Sequence, residues 1–296
     1  IESIERATEG EKRVYRFLKE AARPHKEYDV WYEPQIGPED REPDFVLYGK
    51  TLGIVVIEVK DWRAGQIVST GPHHFTILVS GEEEKRTNPL RQARGYVHHL
   101  MDVLNRHAEF LSDKPGHAGK LKVPIGRMVV FPNIRRTEYE ERALRSIIQP
   151  DMVLLKEDLD PAGAILRDTS GRKFRERMEE CLLFAFEGLL PREEEKLRFL
   201  LWPEDRIELP RRSGMGKSRF QKEVLALDDA QARAALRLKT GHQVVKGPPG
   251  SGKTVVLVHR CVHLVRYYPE KRPILLVCFN IALVSYLKRL IQEKGL

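Results

Sequence analysis

The sequence predicts an α/β protein in two parts: an α-β-β-β-α-β domain, then the opening of a doubly wound parallel domain. Three observations carry this. The first 22 or so residues have helical spacing and are followed by short apolar runs separated by Gly- and Pro-containing turns. Residues 247 to 254 read Gly-Pro-Pro-Gly-Ser-Gly-Lys-Thr, a complete G-x-x-x-x-G-K-[ST] loop between an apolar lead-in and a mostly apolar helix. And 296 residues are enough for two cores.

In the first part, Ile4, Ala7, Val14 and Leu18 form one apolar stripe over residues 1 to 22, ended by Arg23-Pro24 and interrupted by Glu11. Strands are predicted at 30–32, 44–47, 52–60 and 75–79, with turns at Ile36-Gly-Pro38 and Thr70-Gly-Pro72. A helix is predicted from Asn88-Pro89, where Asn caps and Pro suits the first turn, to about Leu111. Further strands are expected at 127–131 and 152–155. These elements place a first domain at 1–160. Residues 161–225 are helical and highly charged, with Glu193 to Lys196 and Pro210 to Arg212 marking an expected linker. From about 226 to 296 the pattern runs helix, strand, loop, helix, strand, helix, and it stops after two strands.

Composition sets limits. Apolar residues at 41% and charged residues at 32% describe a globular chain, and no apolar run reaches the length of a membrane span. The net charge of +8 is compatible with a polyanionic partner such as DNA or RNA, although most Lys and Arg are interleaved with Glu and Asp. Cys181, Cys261 and Cys278 sit in apolar surroundings without zinc-type spacing, which predicts buried thiols of a reducing cytoplasm. Residue 1 is Ile, so a preceding segment is compatible with the sequence.

Two chemical sites emerge. In the loop, Gly247, Gly250, Ser251 and Gly252 leave backbone N–H groups free to wrap a polyphosphate, Lys253 reaches the terminal phosphates and the Thr254 hydroxyl suits Mg²⁺. A second G-K-S at 216 to 218 has Arg211 where the first glycine belongs and no apolar strand before it. In the first domain, Pro43-Asp44 is followed after thirteen residues by Glu58-Val59-Lys60. Side chains at i and i+2 of a strand share a face, so Glu58 and Lys60 project together while Ile57 and Val59 enter the core. Asp44 can meet them from the neighbouring strand. Two close carboxylates bind a divalent cation, and a lysine beside them can orient an attacking water, a set suited to phosphodiester hydrolysis. The alternative is a structural ion pair at a strand end. Glu83 to Lys85 and Glu194 to Lys196 match the same E-x-K triplet but lie in charged runs, whereas Glu58 ends a nearly continuous apolar strand. Glu11, on an otherwise apolar stripe, either pairs with a cation or adds a third carboxylate. Gln92 and Tyr96 share a helix face and could contact DNA or the water. The His pairs at 73–74 and 98–99 have no third metal ligand spaced to join them.

These residues resemble a known pairing. Glu11, Pro43-Asp44, Glu58-Val-Lys60 and Asn88-Pro89-x-x-Gln92 are similar to the motifs of a nuclease-related (NERD) domain of the PD-(D/E)xK superfamily, with its restriction-endonuclease-like core. Gln92-x-x-x-Tyr96 also resembles a motif of RecB-like nucleases. The second part resembles the start of a RecA-like domain in a UvrD-like superfamily 1 helicase. Leu227-Asp-Asp-Ala-Gln231 resembles its adenine-reading glutamine motif, 247–254 its phosphate loop, and 274–286 its motif Ia.

The resemblance implies a Mg²⁺- or Mn²⁺-dependent DNA nuclease joined to an ATP-driven helicase, acting in DNA processing or defence against foreign DNA. Asp44, Glu58 and Glu11 would be its metal ligands, with Lys60 and Gln92 assisting. Nothing after Thr254 matches the Walker B pair, so a motor continuing beyond Leu296 is expected, and the chain as given should not hydrolyse ATP. Two rivals stand beside this: a nuclease-like domain that only binds nucleic acid or a protein partner, and a nuclease gated by ATP.

Overall fold

The computed structural model describes residues 4, 7–34 and 42–201, and in the C-terminal part 244, 246, 253–267, 273–277, 284, 287, 288, 291 and 292. The chain divides into two compact units, Ile1–Leu201 and Trp202–Leu296.

The first unit opens with α1 (Glu9–Ala21), started by a reciprocal cap. The Thr8 hydroxyl accepts the Glu11 N–H at 3.3 Å while the Glu11 carboxylate accepts the Thr8 N–H at 2.8 Å. The helix therefore begins at Glu9, later than the apolar stripe alone predicts, because Thr8-x-x-Glu11 spells the cap. Three antiparallel strands follow, β1 (Tyr28–Tyr32), β2 (Phe45–Gly49) and β3 (Gly53–Val59). Gly53 turns the chain into β3 at φ +106°, where a Cβ would stand 2.6 Å from Pro124.

A separate three-stranded sheet comes next, β4 (Ile67–Thr70), β5 (His74–Val79) and β6 (Glu82–Thr87), all antiparallel. Only β5 is legible from apolar alternation; β6 is almost wholly charged, exposed on both faces, and held by its ladder to β5. Then α2 (Pro89–Asn105) starts at the Asn88 cap and ends before the expected Leu111, with a 3-10 turn over Ala108–Phe110 burying Phe110. It leads to β7 (Ile125–Val130), parallel to β3. After α3 (Arg136–Glu141) the short β8 (Val153–Leu154) adds in parallel and completes the sheet order β1-β2-β3-β7-β8. The α-β-β-β-α-β order is present in α1-β1-β2-β3-α2-β7, with the small sheet inserted before α2.

The central sheet is covered on both faces, which is why β3 is buried at every position. Val55, Ile57 and Val59 pack with Val14, Phe17 and Leu18 of α1. On the opposite face α2 packs against β3 and β7, and Val129 and Phe131 join a second cluster with Phe75 and Ile77 of the small sheet. Trp62 lies between, its ring 5.7 Å from Phe75 and 6.2 Å from Phe131.

Compact packing continues past residue 160, where sequence patterning placed the end of this domain. After α4 (Ala164–Arg167), α5 (Arg172–Glu179) puts Phe174 and Met178, four apart, into the α1 core, with the Phe174 ring edge-on to Phe17 and Tyr28. Burying one such aromatic contributes roughly 2–3 kcal/mol. In α6 (Pro191–Leu201) Leu197 and Leu201 are fully buried, Glu194 accepts the Tyr48 hydroxyl at 3.2 Å, and Arg198 pairs with Asp29 at 2.8 Å. Charge on the outer face of α5 and α6 masks these inward stripes in the sequence.

In the second unit α7 (Lys253–Tyr267) begins at the lysine of the loop motif, and Val256 and Val258 are buried. Residues 273–277, expected in a strand, form none among the described residues.

Candidate active site

The end of β3 brings the charged residues of the first unit together. Phe45 pairs with Ile57, so one further step of the antiparallel register puts Asp44 opposite Glu58. Phe45, Ile57 and Val59 all face the α1 core, which turns Asp44, Glu58 and Lys60 to the other face. Asp44 Oδ2 accepts the Val59 N–H at 2.6 Å. Glu58, at 1% exposure, accepts Lys60 Nζ at 2.5 Å through Oε1, while Oε2 is buried with no partner.

The electrostatics are those of a crowded acidic pair. Burial, and then the charge of Glu58, push Asp44 up to about 7; the Val59 N–H and Lys60 oppose this and Glu11 adds to it. Burial likewise raises Glu58, against the pull of Lys60 and with a further push from Glu11. Glu11 thus acts on both carboxylates from α1. Its own carboxylate is occupied by the Thr8 N–H and by the Tyr32 hydroxyl at 3.1 Å. Burial and the charges of Glu11 and Glu33 hold the Tyr32 phenol above its usual range. Tyr32 was not singled out in the sequence, since its role depends on a helix that reaches it from 21 residues away.

Among the described residues, no three His, Cys, Asp or Glu side chains stand close enough together to hold a metal ion. Asp44 and Glu58 fit a divalent cation as a pair. The unpartnered, buried Oε2 of Glu58 is a carboxylate oxygen with no other use, and repulsion within the pair is what a cation would relieve.

Gln92 Nε2 donates to the Tyr96 hydroxyl at 2.9 Å along α2 and makes no hydrogen bond to Asp44, Glu58 or Lys60. The His pairs lie outside the site, with His73, His74 and His98 exposed. Sequence reading passed over Asp61, which binds Gly10 of α1 and Asn133 beyond β7; contacts between such distant segments leave no local pattern. Beside α1, Arg13, Arg16 and Lys156 line a cavity of about 260 Å³, partly balanced by Glu20 and Asp160.

Of the second site, Lys253 and Thr254 occupy the first turn of α7, both half-buried. Gln231, Gly247, Gly250, Ser251 and Gly252 lie outside the described residues. Cys181 is a buried free thiol and Cys261 a half-buried one. Among the described residues no helix is long and apolar enough to cross a membrane.

Two protein families match the chain. Residues 6–132 match the nuclease-related domain (NERD), and residues 227–294 match the UvrD/REP helicase N-terminal domain. No curated protein and no solved structure matches it significantly.

Proposed function

We propose that this chain, in which a nuclease-related domain precedes a UvrD/REP helicase N-terminal domain, is a divalent-metal-dependent DNA nuclease attached to an ATP-driven motor. The observation that carries the proposal is the buried Glu58, its Oε2 unpartnered, with the half-buried Asp44 opposite it and Lys60 beside it.

In this reading Asp44 and Glu58 hold Mg²⁺ or Mn²⁺, and Glu11 adds its charge from α1. A bound divalent ion supplies positive charge for the scissile phosphate and acidifies the attacking water. With its carboxyl pushed up to about 7 by burial and by the charge of Glu58, Asp44 would have to be ionised to serve as a ligand. Lys60 Nζ, which donates to Glu58 Oε1, would be the group to orient the water or to bind a phosphate oxygen. Gln92, steadied by Tyr96, is assigned to the DNA side. The cationic lining from Arg13, Arg16 and Lys156 suits a polyanion.

The motor part, 226–296, follows the nuclease-like part, whose compact unit runs to Leu201. There Lys253 and Thr254 grip ATP and its Mg²⁺, the backbone of Gly247, Gly250, Ser251 and Gly252 wraps the phosphates, and Gln231 selects adenine. Among the described residues Cys181 and Cys261 are free, which supports a reducing, cytoplasmic setting. DNA processing or defence against foreign DNA is the role that suits such a fusion.

Cleavage of circular and linear DNA by the whole chain in Mg²⁺ or Mn²⁺ tests the proposal, with Lys60→Ala alongside. Metal-dependent cleavage that falls at least about 100-fold in the variant is expected. No cleavage by the natural sequence, or equal cleavage by both, refutes it.

A further inference from the structure

Asp61 directly follows Lys60, and its side chain closes a ring among three elements. Its Oδ2 accepts the Gly10 N–H at 3.0 Å in the first turn of α1. Its Oδ1 accepts Asn133 Nδ2 at 2.5 Å, and the same amide donates to the Asp61 carbonyl at 3.1 Å. Asn133 Oδ1 in turn accepts the Arg13 guanidinium at 3.1 Å, which also binds the Pro132 carbonyl at 2.7 Å. The end of β3, the start of α1 and the end of β7 are tied by one carboxylate and one amide.

We propose that Asp61 is a positioning residue, holding the first turn of α1 against the end of β3 and so fixing how far the Glu11 charge stands from Asp44 and Glu58. The inference rests on the nuclease reading above. Chain connectivity supplies the lever: Gly10 is bonded to Glu11, and Asp61 to Lys60, so a hydrogen bond between Gly10 and Asp61 sets the spacing of their neighbours. The Gly10 N–H belongs to the first turn of the helix, whose amides lack intrahelical acceptors, and a carboxylate there is favoured by the helix dipole. A Cβ at residue 10 would sit 2.7 Å from Asp61 Oδ1, so any larger residue there would push the carboxylate from its place.

Asp61 is exposed, and the core beneath α1 is built from Val14, Phe17 and Leu18 without it. Removing its carboxylate should therefore loosen the first turn and leave the fold standing. Glu11 would still have its cap from Thr8 and its bond from Tyr32, and those contacts move with α1 and β1 rather than with the end of β3.

The test uses the whole chain and Mn²⁺. Calorimetric titration measures Mn²⁺ binding directly, and cleavage measures the concentration giving half-maximal rate. Asp61→Ala should weaken both by about two- to threefold, because a neighbouring charge is displaced rather than a ligand lost, with the melting temperature lowered by only a few degrees. Asn133→Ala should shift both the same way. In a Glu11→Gln background, Asp61→Ala should add nothing, because it acts through Glu11.

Unchanged Mn²⁺ affinity in Asp61→Ala, or the same fold-loss with and without Glu11, overturns the positioning role while leaving the nuclease reading intact. A natural chain that binds no Mn²⁺ overturns both.

Discussion

Replacing Asp44 with Asn should abolish cleavage and yet make the metal-free protein more stable. Asp44 moves from 3.8 to about 7 on folding, so at pH 8 its ionised form costs about 4 kcal/mol at about 1.4 kcal/mol per pH unit. Asn keeps the shape of the neutral acid, and its amide oxygen can still accept the Val59 N–H, the bond that already holds Asp44 lower than burial alone would. The gain is therefore about 4 kcal/mol, a rise of roughly 8–16 °C in the melting of a unit this size.

The sign follows from linkage. A carboxyl group held above its unfolded value stabilises the fold while protonated and loses that stabilisation as the pH climbs through its folded value. The gap between Asp44→Asn and the natural chain should therefore be small near pH 4, open up to about pH 7, and stay constant above. Scanning calorimetry of the first unit's transition, with chelator present, measures it. Saturating Mn²⁺ should reverse the order, since only a chain with both carboxylates gains binding energy. A variant less stable than the natural chain at pH 8, or a gap that ignores pH, would refute the reasoning and return Asp44 to a structural ion pair.

Two other perturbations probe the fold and the second site. Gly126→Ala should cost about 1–3 kcal/mol, because its Cβ would stand 2.7 Å from both the carbonyl and Sγ of Cys181; an unchanged melting temperature would show that the segment at 181 moves freely from β7. Lys253→Ala should weaken ATP binding about 10- to 100-fold by removing a charge-assisted bond to phosphate, measured with a fluorescent nucleotide. Equal affinity would remove Lys253 from the site.

How legible the molecule was in its sequence varied with the range of the interaction. Asp44, Glu58 and Lys60 could be placed on one face because strand periodicity is local and the apolar run into Glu58 marks a buried strand, as β3 proves to be. The Asn88-Pro89 start of α2 was equally local. By contrast β6 carries Glu82 to Arg86 and owes its strand state to pairing with β5, which no alternation in its own residues announces. Glu11 looked like a misplaced charge on an apolar stripe until the Thr8 cap explained its position; that signal was present as Thr8-x-x-Glu11 and went unread. The Asp61 ring joins residues 51 and 72 positions apart and left no trace in either segment.

The packing of Phe174 and Met178 against α1 has a practical meaning for anyone wishing to handle the nuclease-like part by itself. A chain cut at 160 would leave Phe17 and Tyr28 without their aromatic neighbour, Gly126 without the backbone that covers it, and Asp29 without Arg198. Such a fragment would present a sticky apolar face and tend to aggregate, and its silence in a cleavage assay would say nothing about Asp44 or Glu58. The shortest piece whose inactivity would be informative ends at Leu201.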